Sequence, residues 1–266
     1  MSSALSFSQL LDYTSASPWA EVYAQHWTAH GLQTNSPELA DIPVMERESL
    51  RRAVSNERLH PSGPALVRGA GKPPLFFARN ASDIAAEQYG SIGTRPLVLF
   101  SDRDEGIEKS LWCYARGVVP YIGDMSVFEV TSQIAMRYRV DTLLCDVPAI
   151  DSLLALRPHA IPYTQDITSV VVFSDTSIDA TRKAAISTRF PVAECYFRWR
   201  LPESGVCAAF SLRDDGAEEL CPSDALLECD GGTLTITVFR PLPMPLIRYN
   251  TGIACTQTEG GAIMLR

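Results

Sequence analysis

The sequence has 266 residues, 46% of them apolar and 20% charged, with a formal charge of −8. That balance excludes a disordered chain and leaves room for one large α/β domain or two small ones. It also excludes nucleic acid as the expected partner, because an acidic surface repels phosphate and the basic residues come as isolated pairs, Arg51-Arg52 and Arg198-Trp199-Arg200.

In chain order, Met1-Ser2-Ser3-Ala4-Leu5 lacks the basic region and apolar stretch of a secretory leader. No apolar run reaches the roughly 18 to 20 residues that span a bilayer, so a cytoplasmic chain without a membrane partner is expected. Pro18-Trp19 opens an amphipathic helix through Ala29, which Gly31 stops; Ser36-Pro37-Glu38 offers a helix start, and Met45 to Leu50 begins another helix. Residues 1–60 read as a helical lead-in.

From Pro64 the pattern changes to short β-rich runs, Pro74-Leu75-Phe76-Phe77, Pro96 to Phe100, Asp141 to Cys145 and Ser169 to Phe173, alternating with helical segments. Unbroken apolar strands between helices imply a sheet covered on both faces, which makes 61–200 an α/β core. After Arg200 the helices fade. Ala225 to Cys229, Asp230-Gly231-Gly232 and Thr233 to Phe239 spell a hairpin, so 201–266 reads as a smaller antiparallel β subdomain. The seven cysteines are scattered without a C-x-x-C pair, which fits reduced thiols, some of them acting as small core residues.

Isolated polar candidates have bland explanations. His26 and His30 have a metal-binding i, i+4 spacing but no third ligand nearby, and His60 and His159 lie beside prolines in loops. Ser101-Asp102-Arg103-Asp104-Glu105 reads as a solvated turn after a strand. No G-x-S-x-G elbow is present.

An ordered set of motifs carries more information. Ser17 to Tyr23, His30-Gly31-Leu32 and Asp41 to Leu50 are followed by Val67-Arg68-Gly69-Ala70-Gly71-Lys72-Pro73, then Asp141 to Leu156, Trp199-Arg200-Leu201-Pro202-Glu203-Ser204-Gly205, and Pro245-Leu246-Ile247-Arg248-Tyr249-Asn250-Thr251-Gly252-Ile253. In this order they resemble the phenylacetate-CoA ligase-like branch of the adenylate-forming superfamily. The resemblance implies the α/β fold of that family's large N-terminal domain, a central mixed sheet flanked by helices with a smaller C-terminal antiparallel region. Family enzymes continue into a mobile domain bearing a catalytic lysine; the sequence ends soon after Gly252, so that domain is expected to be absent.

Family enzymes activate a carboxylate with ATP and pass the acyl-adenylate to a thiol. By resemblance, Lys72 would hold phosphate, Trp199 would lie against adenine, Glu203 would support Mg²⁺, and Arg248, Tyr249 and Thr251 would frame the nucleotide. Ser174 to Ser177 would lie beside the adenine. The set has losses: Val67 to Ala70 replace the hydroxyls of the phosphate loop, Pro202 replaces another, Arg200 stands where family members have glycine and could pair with Glu203, and Ile253 stands where family members carry the ribose-binding Asp. Losing two hydrogen bonds to a carboxylate costs about 2 to 4 kcal/mol of nucleotide binding.

No catalytic residue is assigned, and three functions remain open. The first is a binding or accessory protein of acyl or aryl-acid metabolism without autonomous ATP-dependent activation and without a cofactor. Its partner would be a small carboxylate, an acyl thioester or a biosynthetic protein, with a homodimer also open, and its acyl pocket would be walled by segments near Cys145 to Leu153 and Phe173 to Tyr196. The second is an AMP-forming ligase completed by another polypeptide, using ATP/AMP and Mg²⁺. The third is an ATP-independent acyltransferase or cyclase, with Cys145, Cys195 and Cys207 as candidate nucleophiles.

Overall fold

The computed structural model describes residues 4–32, 37–55, 58, 65–70, 74–157, 162–212 and 218–266. The chain forms two compact units: the first comprises residues 1–86, 201–208 and 219–266, the second residues 87–200 and 209–218.

In the first unit, helix α1 (Phe7–Ser15) was not anticipated, although its signal was present: Ser6 and Gln9 form a reciprocal capping box. Helix α2 (Ala20–Ala29) and helix α3 (Arg47–Ala53) lie where the apolar periodicity puts them. A short 3₁₀ turn at Leu39–Asp41 follows Glu38. The run Pro74 to Phe77 was grouped with the covered sheet. Instead β1 (Ala65–Ala70) and β2 (Leu75–Asn80) make a separate antiparallel ribbon, followed by helix α4 (Ala81–Ala86). Phe76 is 47% exposed while Phe77 is buried, the alternation of a strand with one face covered.

The C-terminal part is the antiparallel sheet expected from its hairpin. Its order is β10 (Ala225–Asp230), β11 (Thr233–Val238), β12 (Tyr249–Gln257), β13 (Ile263–Leu265). Gly231 and Gly232 both have positive φ, as the tight turn between β10 and β11 requires.

The second unit holds the parallel strands β3 (Pro96–Leu99), β4 (Tyr121–Ile122), β5 (Thr142–Asp146), β6 (Ser169–Ser174) and β7 (Glu194–Leu201). In sheet order they run β4-β3-β5-β6-β7, with β8 (Gly205–Leu212) and β9 (Glu218–Pro222) next. Every residue of β3, β5 and β6 is buried, as parallel strands covered on both faces demand. The connecting helices are α5 (Arg103–Ala115), α6 (Phe128–Arg137), α7 (Val147–Ala155) and α8 (Ala180–Arg189). Ser101 to Asp104 are exposed, as expected of a solvated turn after a strand, and lead into α5: Asp102 accepts from the Asp104 and Glu105 amides, while Glu105 is buried. Among the described residues, no helix is long and apolar enough to cross a membrane.

Candidate functional site

Strand β7 ends at Leu201, and Pro202-Glu203-Ser204 turns the chain into Gly205, whose φ of 81° suits glycine. The turn buries Glu203 completely. Its Oε1 accepts from the Arg47 guanidinium at 2.6 Å and from the Tyr249 hydroxyl at 3.2 Å, and Arg47 also reaches that hydroxyl at 3.4 Å. The side chain of Glu203 is 0% exposed and that of Arg47 29%. Arg200, in the second unit, pairs with the buried Glu105 of that unit. Burial, together with the adjacent carboxylate, raises the Tyr249 phenol above its ordinary value, so it stays protonated and donates.

Arg47 is the residue that sequence reasoning missed. It stands in the lead-in motif, but nothing in sequence ties position 47 to position 203. The backbone explains the meeting. Met45 bridges to Tyr249 in parallel, with Met45 N–H donating to Arg248 O at 2.8 Å and Asn250 N–H donating to Met45 O at 3.0 Å. Asn250 Nδ2 then donates to both oxygens of Glu46. This pairing delivers Arg47, at the first turn of α3, to Glu203.

The remaining residues of the last motif are committed in the same way. Arg248, with φ at 43°, donates from Nη1 to the carbonyls of Ile42 at 2.6 Å and Ala40 at 3.3 Å, and from Nε to Glu228 at 3.3 Å. Thr251 Oγ1 donates to Leu234 O at 2.8 Å and accepts from Ile253 N–H at 3.1 Å. These bonds close a bulge, since Asn250 and Ala254 of β12 face Thr235 and Thr233 of β11. Ile253 is half-buried within it.

In the second unit, Trp199 is wholly buried on β7, with its indole N–H directed at Asp175 O at 3.3 Å. No face of the ring is left open to solvent for a base. Ser174 at the end of β6 accepts from Thr176 N–H and donates to Thr176 O. The sheet order places the topological switch between β3 and β5, whose C-terminal ends are the usual ligand position in open α/β sheets. Here the buried Asp146 bridges that point. It accepts from the Ser101 amide at 2.9 Å and from the Ser101 hydroxyl, while capping α7 through Ala149 N–H at 3.0 Å.

Of the phosphate loop, Lys72 lies outside the described residues. Val67 to Ala70 belong to β1, where Gly69 pairs with Phe76 and Arg68 is buried. A Cβ at Gly69 would meet the Phe76 ring at 3.1 Å. His60 and His159 also lie outside the described residues. His26 Nε2 meets Val44 O at 3.0 Å and His30 Nδ1 meets His26 O at 2.8 Å. No group of three metal-binding side chains occurs among the described residues. Cys113, Cys145, Cys195, Cys221, Cys229 and Cys255 are free. Burial raises the thiols of Cys145 and Cys195, the opposite of what activates a nucleophile. The Cys207 side chain lies outside the described residues.

Mg²⁺ at Glu203 does not fit this geometry. A hard dication collects about six oxygens, whereas one oxygen of this lone carboxylate already compensates a guanidinium inside the protein. The other, Oε2, is buried and accepts no hydrogen bond from protein atoms.

A comparison with family models finds no match, and neither does one with curated proteins. Solved structures do match. An open conformation of 2-hydroxyisobutyryl-CoA ligase, in complex with 2-HIB-AMP and CoA, aligns over 97% of this chain and 71% of its own, with TM-score 0.70 and 16% identity. The luciferase-like enzyme of the nonluminescent mealworm Zophobas morio aligns over 76% of this chain and 56% of its own, with TM-score 0.56 and 15% identity. The N-terminal subdomain of Klebsiella oxytoca NpsA, in complex with anthranilyl-AMSN, aligns over 76% and 62%, with TM-score 0.55 and 13% identity. The chain therefore spans between about half and seven-tenths of these relatives.

Proposed function

We infer, from a fold shared with the N-terminal domain of adenylate-forming enzymes, that this chain binds rather than activates. It serves acyl or aryl-acid metabolism as a binding or accessory protein, its ligand a small carboxylate, an acyl thioester or a biosynthetic partner. One observation carries the reading. The residues at the nucleotide positions hold the protein itself together, with Glu203 on Arg47 and Tyr249, Arg248 on the Ile42 and Ala40 carbonyls, and Thr251 on the Leu234 carbonyl. Nucleotide would have to displace these bonds, each of about 0.5 to 3 kcal/mol, without the ribose-binding carboxylate.

The buried Oε2 of Glu203, which accepts no hydrogen bond from protein atoms, favours the ligase completed by another polypeptide as a second reading, because it leaves an acceptor for a donor supplied by a ligand or by that polypeptide. Exchange of labelled diphosphate into ATP, with Mg²⁺ and a panel of carboxylic acids, separates the two. The binding reading predicts no exchange and a raised melting temperature with an acid or thioester alone; exchange with any acid establishes the ligase.

A further inference from the structure

The C-terminal sheet brings two thiols together. In the register of β11 with β12, Ala254 lies opposite Thr233, the first residue of β11. Cys255 therefore runs past the end of that strand, where its N–H donates to Gly232 O at 2.9 Å in the turn from β10. With no strand standing between, Cys229 of β10 reaches across: its Sγ donates to Cys255 O at 3.6 Å, and the Cys255 thiol is hydrogen bonded to that of Cys229. Both thiols are free. Cys145 of β5 and Cys195 of β7 have no such closeness, because β6 runs between them at Val172 and Val170 and sets their strands about 10 Å apart. Access to the two neighbouring thiols differs, since Cys229 is half-buried and Cys255 is buried. Burial first, and the Cys229 thiol second, push the Cys255 thiol up to about 12, so it stays protonated and the outer thiol leads.

We propose that Cys229 and Cys255 are a reversible redox pair, closed to a disulfide by a small aliphatic disulfide of the glutathione class. The Cys229 thiolate attacks one sulfur of that reagent and expels a thiolate, which takes up the proton that Cys229 lost. A mixed disulfide on Cys229 results. The Cys255 sulfur then attacks Cys229 Sγ, the mixed S–S bond breaks, and the Cys255 proton leaves on the second small thiol. Two protein thiols are oxidised and one reagent disulfide is reduced to two thiols. The new bond joins residues 26 apart in sequence and pins the β10–β11 hairpin to the strand that carries Tyr249, Thr251 and Ile253. Glu228, beside Cys229, already holds Arg248 of the same segment. The inference concerns the first unit alone and does not depend on whether nucleotide binds.

The test uses the full chain in a Cys221→Ser background, since Cys221 is exposed and would react by itself. Native protein is incubated with oxidised glutathione, blocked with iodoacetamide and digested with trypsin without reduction. The expected map joins the peptide ending at Arg248 to the one beginning at Tyr249. The melting temperature rises by about 3 to 6 °C on oxidation, and dithiothreitol reverses both changes. Cys255→Ser retains a glutathione adduct on Cys229, and Cys229→Ser abolishes the melting response, with circular dichroism checking that each variant folds. Native protein that keeps both thiols, or that carries glutathione adducts without the joined peptide, overturns the proposal. A joined peptide that forms only when the chain is unfolded in urea overturns it equally.

Discussion

Glu203 in the first unit and Glu87 with Glu108 in the second are all buried carboxylates, yet their charges are met differently. Glu203 is answered by Arg47 and Tyr249, which lie 156 and 46 residues away in sequence. Glu108 is answered by its neighbour Lys109, which also reaches Glu87 and the Tyr89 hydroxyl. Lys109 further lies over the rings of Tyr89 and Phe173. The first arrangement ties distant segments together, so it acts as a fastener. The second is a polar filling beneath one helix, enclosed beside the buried Trp112 and Cys113. Buried charge alone therefore does not identify a ligand site; the sequence separation of the partners says what the charge does.

The largest effect is expected at the filling. Lys109→Met leaves two fully buried carboxylates without that cation, which costs about 3 to 5 kcal/mol in urea unfolding. Lys109→Met combined with Glu108→Gln should recover part of the loss. Next comes the fastener. Arg47 is partly screened by solvent, so Arg47→Met should cost about 2 to 4 kcal/mol. The pair Arg47→Met with Glu203→Leu should restore much of that loss. If the double variant is no more stable than the single, Glu203 is not the charge that Arg47 compensates, and the comparison breaks.

The sequence showed some of this and hid the rest for physical reasons. Strands β5 and β6 were legible because every residue in them is buried, and apolar composition reports burial directly. The hairpin at Asp230-Gly231-Gly232 was legible because only residues tolerant of positive φ make that turn. The motif positions were legible as a resemblance in linear order. Their contacts were not: the resemblance would set Trp199, Glu203 and Tyr249 toward a nucleotide, and only three-dimensional pairing reveals that Trp199 is sealed against Asp175 and Glu203 is held by Arg47. Ser101 to Glu105 was legible as far as Asp104, since residues 101–104 are exposed; Glu105 was not, because its partner Arg200 lies 95 residues on.

Smaller effects sharpen the picture of the last motif as framework. Thr251→Val removes the bond to Leu234 O and the acceptor for Ile253 N–H; a loss of about 1 to 2 kcal/mol in chemical denaturation is expected. The smallest effect is a pH dependence at His26. Burial first, and His30 beside it second, lower its proton affinity in the folded state. The unfolded chain therefore binds that proton more readily. Stability from this group is present above the ordinary histidine value of 6.5 and is lost as pH falls below it. His26→Gln should flatten the melting-temperature profile between about pH 7 and about pH 5.

Calorimetric titration of the purified chain with ATP, with and without Mg²⁺, tests the central claim most directly. The internal commitment of Glu203, Arg248, Tyr249 and Thr251 predicts no saturable heat up to roughly millimolar nucleotide. Saturable, Mg²⁺-dependent binding that disappears in Glu203→Gln would contradict it.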